Sequence, residues 1–176
     1  MKEMTSHGSL DETSLHEAGH LLIGHLRLGM IALSASTLAD EDGTTGRCQW
    51  DFQRVDRVRP FIGRKIGLKE LKPGRLSDPE VRTARDLIAL HLAGSVAVEV
   101  VSGHDARDRS GCDRAEATRL AGYVNITDPD SVLEQVWTEV ASALGAPVNR
   151  VVLDRLARAL RDRRELTQED IARLLG

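Results

Sequence analysis

The stretch from Ser77 to Gly103 constrains the fold more than any other, because its start and its interior agree on one long buried helix. Ser77-Asp78-Pro79-Glu80 supplies a capping hydroxyl, a proline in the first turn and acids at the positive end of the helix dipole. From Leu87 to Val101 the sequence is apolar nearly all round, a pattern that suits a helix enclosed by others. This segment is predicted to be the central helix of the core, and Ala93, Gly94 and Ser95 would let a second helix approach closely.

A chain of 176 residues with 41% apolar positions can bury one core, so a single domain over 1–176 is expected. Aromatic residues are few, and Leu, Ala, Val and Ile carry the apolar content, which points to a mainly α fold. A first helix is capped by Asp11 or Ser14 and stops at Gly29. Residues 31–38 and 44–50 then read as two antiparallel strands around a turn at 39–43. The α+β description therefore includes a small β-hairpin or sheet after the first helix. Another helix follows Ser110, and three more are expected near 130–144, 148–163 and after Thr167.

Charge and cysteine content narrow the function classes. The formal net charge of −3 argues against a general nucleic-acid-binding surface. A local exception is the basic, Pro- and Gly-interrupted segment from Arg54 to Arg75, read as an irregular solvated loop with an acidic or nucleic-acid partner as the alternative. Cys48 and Cys112 form no disulfide framework, no apolar run reaches the length needed to cross a bilayer, and the start is polar. A soluble cytoplasmic protein without a membrane partner is expected.

The chemistry concentrates in Ser14–His25, SLHEAGHLLIGH. Residues four apart on a helix lie about 40° apart around its axis, so His16 and His20 can hold one metal ion. Glu17, beside the first histidine, can reach a metal-activated water without being a ligand. Zinc suits two neutral imidazoles and lowers the pKa of a bound water. His25 points roughly 140° to 180° away and is excluded from the site. Gly19 is an unfavourable mid-helix residue that makes sense if something approaches the backbone closely.

A catalytic zinc normally takes three protein ligands and a water, so one ligand must come from elsewhere. Asp113, Glu99, His91, His104 and Cys112 are the candidates, and Asp113 could instead close a capping box with Ser110.

Four segments, in order, carry a resemblance that covers nearly the whole chain. SLHEAGHLLIGHLRLG (14–29) resembles the HEAGH helix of the protease domain of the FtsH family, the AAA+ ATP-dependent zinc metalloproteases. LAGSVAVEVVSG (92–103), RSGCDRAEATRLAGYV (109–124) and LARALRDRRELTQEDIARLL (156–175) are similar to later segments of that domain. The resemblance implies a zinc metalloendopeptidase with a catalytic half at about 11–126 and a C-terminal helical part at about 127–176. It implies His16, His20 and Asp113 as Zn²⁺ ligands and Glu17 as the base, and Glu99 as a carboxylate supporting a ligand. The hairpin matches the strands beside the family's cleft, where an edge strand could pair with an extended peptide.

Departures accompany it. Ser95, Val98 and Cys112 replace the family's Arg, first Glu and Asn, and no phosphate-binding Gly-x-x-x-x-Gly-Lys-Ser/Thr loop is present. Cys112 points about 100° from Asp113, so both are not expected on one ion. The expected substrate is unfolded protein or peptide, and the partners are a homo-oligomer or a separate ATPase. The rival reading is an inactive metal-binding pseudo-protease that captures peptides or regulates another protein.

Overall fold

The computed structural model describes residues 7–39, 45–62, 71–107 and 111–176. Among these the chain is mainly helical, with α1 (His7–Leu28), α2 (Arg59–Ile62), α3 (Asp78–Ser102), α4 (Gly111–Val124), α5 (Pro129–Gly145), α6 (Pro147–Arg163) and α7 (Gln168–Leu175). A three-stranded antiparallel sheet of β1 (Ser34–Ala39), β2 (Thr45–Gln49) and β3 (Glu165–Thr167) accompanies them in the order β2-β1-β3. No helix among the described residues is long and apolar enough to cross a membrane.

The central helix forms where its sequence places it. Ser77 caps α3, and Glu80 Oε2 accepts from the Ser77 backbone N–H at 2.7 Å, so each end of the capping box answers the other. Gly103 closes the helix in the left-handed conformation, at φ 71°. From Leu87 to Val98 every residue except His91 is buried. α3 packs on α1, α4 and α5, and α1 is held between α3 and α6.

The close approach of α1 to α3 depends on Gly19. A Cβ there would stand 2.4 Å from the Ala93 carbonyl oxygen and 2.7 Å from Ala97 Cβ, both fixed parts of α3. Overpacking of this kind costs about 1–3 kcal/mol, more than the gain of up to about 1 kcal/mol from replacing a mid-helix glycine. Gly19→Ala is therefore expected to lower the thermal midpoint by several degrees in a calorimetric scan; an unchanged or higher midpoint would show that the helices are not in tight contact.

The sheet extends beyond the expected hairpin. β1 pairs with β2 from Ser34↔Gln49 to Ala39↔Thr45, and its other edge takes β3, with Ala35 opposite Leu166. Residues 40–44, where the turn of the hairpin was expected, lie outside the described residues. β3 exists because Arg164 ends α6 at φ 63° and turns the chain back, its carbonyl accepting from Thr37 N at 2.9 Å.

The described first part of the basic segment, residues 54–62, is less loop-like than its composition. Val58 and Phe61 are buried, and Arg57 reaches Asp86 Oδ2 at 2.9 Å and the Arg27 carbonyl at 2.7 Å. Residues 63–70 lie outside the described residues.

At the C-terminus Thr167 caps α7, and Asp170 answers it. The Asp170 carboxylate accepts from Arg163 at 2.7 and 3.0 Å and from Thr167 Oγ1 at 2.9 Å. Arg163, then Thr167, hold its carboxyl down at about 2. Because the folded value lies below that of an unfolded Asp, near 3.9, the stabilisation is present above about pH 4 and is lost as pH falls towards 2. Asp170→Asn should lower stability at neutral pH, and the variant and wild type should converge near pH 2 in acid-unfolding curves. Parallel curves across that window would contradict the assignment.

Candidate metal centre

α1 carries His16 and His20 one turn apart on the face that meets α3 and the start of α4. His20 is buried, and its Nδ1–H donates to the Leu90 carbonyl at 2.7 Å. That bond places the proton on Nδ1, so neutral His20 presents a bare Nε2 towards His16 Nε2, 3.0 Å away. Asp113 enters from the first turn of α4, where a carboxylate suits the positive end of the helix. Its Oδ2 lies 3.4 Å from His16 Nε2 and 3.3 Å from His20 Nε2.

Three electron-rich atoms thus form a triangle with sides of 3.0, 3.3 and 3.4 Å. A tetrahedral ion with bonds of about 2.0–2.1 Å has ligand-to-ligand edges of about 3.3–3.4 Å. The group His16, His20 and Asp113 could therefore hold a metal ion, with a face open for a further ligand. Burial opposes a charged Asp113, but the hydrogen bonds from His16, His20 and His91 outweigh it and drive the carboxyl far below the usual range. Burial likewise opposes a charged His20, and Asp113 reverses that to raise its pKa.

Of the sequence candidates, His16, His20 and Asp113 come together, and Glu17 is buried beside them. Gly46, in the left-handed region at φ 86°, faces Glu17; a Cβ there would stand 2.5 Å from Glu17 Oε1. His16, Glu17, Gly46, Ser95 and Asp113 line one cleft of about 620 Å³. β2, which among the described residues pairs only with β1, contributes Thr45 and Gly46 to that cleft.

Glu99 is a correction. It was expected to support a ligand, but its Oε1 accepts from Trp137 Nε1–H at 3.2 Å and bonds none of the three ligands. The cause is helix phase: Glu99 lies five residues, about 140°, from Gly94, whose face meets His16. His104 is exposed and Cys112, exposed on the cleft, is outside the cluster. Ser110, the partner of the alternative capping box, lies outside the described residues. His25 is also apart, its Nδ1 buried without a partner among the described residues.

Cys48 sits against the site as a neutral thiol. Its Sγ–H points at the Glu17 carbonyl at 3.6 Å, and burial followed by the charge of Glu17 pushes its pKa well up. Sequence reasoning missed the part played by α3 in seating the ligands. Leu90 fixes the tautomer of His20, His91 Nδ1–H donates to Asp113 Oδ1 at 3.3 Å, and Gly94 makes room for the His16 ring. A Cβ at Gly94 would lie 2.4–2.5 Å from three atoms of that ring. The signals were present only as a small-residue position at Gly94 and as His91 among the candidate ligands.

No protein-family model matches this sequence, and no curated protein matches it significantly.

Proposed function

We propose that the chain is a zinc metallopeptidase domain of the FtsH protease type, acting in the cytoplasm on unfolded or extended polypeptide. The observation that supports this most strongly is the two-imidazole, one-carboxylate triangle with a buried glutamate next to it in sequence and in the cleft. Two neutral imidazoles and one carboxylate oxygen with tetrahedral edges favour zinc over calcium or magnesium, which prefer more oxygen ligands. Zinc bound there would acidify a water and polarise the peptide carbonyl.

The chain's own residues do the rest. His16, His20 and Asp113 would hold the ion. Glu17 takes the proton from the attacking water and delivers it to the leaving amine nitrogen as the C–N bond breaks, so it ends the cycle as it began. The edge of β2 that takes no strand among the described residues would offer backbone groups to an extended peptide beside Glu17, a geometry that selects unfolded chains.

The test is cleavage of casein by the zinc-loaded protein, its loss with a chelator and its return with added zinc. A protein that holds one zinc per chain yet cuts nothing across a peptide library would overturn the peptidase reading.

A further inference from the structure

His91 is the one residue between Leu87 and Val98 that is not buried, and it interrupts the most apolar run of the chain. Its ring is about a quarter exposed, at 26%, and its Nδ1 lies 3.3 Å from Asp113 Oδ1. A carboxylate oxygen only accepts, so in this contact His91 Nδ1–H is the donor. The two oxygens of Asp113 are thereby divided: Oδ2 faces the Nε2 atoms of His16 and His20, while Oδ1 is turned away to His91.

Resting on the metal site proposed above, we infer that His91 is a positioning residue that keeps Asp113 a one-oxygen ligand and so leaves a coordination position open for the reacting water. A carboxylate free to rotate can offer both oxygens to one ion. The bond from His91 occupies the second oxygen, so the chain would offer an ion two nitrogens and a single oxygen. Leu90, His91 and Gly94, within about 100° of arc on α3, thus serve His20, Asp113 and His16 in turn, although α3 supplies no ligand itself. Hydrogen bonds that orient ligands in this way are worth roughly 10–100-fold in metal affinity.

The test compares three variants for zinc affinity, by chelator competition, and for the visible spectrum of the cobalt(II)-substituted protein. His91→Phe and His91→Leu remove the donor, the first with the ring volume kept; His91→Asn keeps an N–H close to the position of Nδ1. Wild type should show the intense bands of four-coordinate cobalt. His91→Phe and His91→Leu should bind zinc roughly 10–100-fold more weakly and show the weak bands of five-coordinate cobalt, as the freed oxygen joins the ion. His91→Asn should restore the wild-type spectrum and most of the affinity. The inference is overturned if the Phe and Leu variants match wild type in both measurements, or if the Asn variant falls with them, which would leave His91 a packing role only. A wild-type protein that binds neither zinc nor cobalt would instead overturn the metal site on which the inference rests.

Discussion

Glu17→Gln should leave zinc bound and the fold intact while abolishing hydrolysis of casein. Glutamine fits the space of glutamate beside Gly46, so the cleft keeps its shape. What is lost is the ability to take a proton, and positioned acid-base groups contribute about 10²–10⁴-fold to rate. The expected result is a fall in kcat/KM within that range, with zinc content and thermal midpoint unchanged. A variant that keeps most of its activity would remove Glu17 from the chemistry. A variant that loses zinc as well would make Glu17 part of the metal shell.

Asp113→Ala has the second large effect, and it is on binding. The substitution removes one corner of the triangle and leaves His16 and His20 only 3.0 Å apart, with no anion to balance an ion between them. Zinc affinity should fall by more than the roughly 10–100-fold associated with losing a ligand's supporting hydrogen bond. Zinc at about 100 times its dissociation constant should stabilise wild type by about 2.7 kcal/mol. It should leave the midpoint of Asp113→Ala where it was. Equal zinc-dependent shifts for both proteins would mean that the third ligand is another residue.

The parts of the fold that local sequence controls were legible. Gly29 ends α1 at φ 66°, and Ser77, Glu80 and Gly103 bound α3 as their chemistry dictates. β3 was not, because it is three residues long and its pairing partner lies about 130 positions away, brought back by a left-handed arginine that no sequence rule places there. The same division holds at the site. His16, Glu17 and His20 follow from helical spacing alone. Asp113 remained one of five candidates until the family resemblance singled it out, because which helix end meets α1 is set by tertiary packing. Glu99 failed for the corresponding reason: position in a motif does not fix the phase of α3 against α1, and the carboxylate faces Trp137. Leu90 acts through a backbone carbonyl, which every residue has and no sequence marks.

X-ray absorption at the zinc edge of the wild-type protein, purified without chelator, tests the central claim most directly. The expected spectrum shows one zinc per chain bonded to two imidazole nitrogens and two or fewer oxygens, and no sulfur. Absence of bound metal, or a sulfur at about 2.3 Å that would bring Cys48 or Cys112 into the shell, would contradict it.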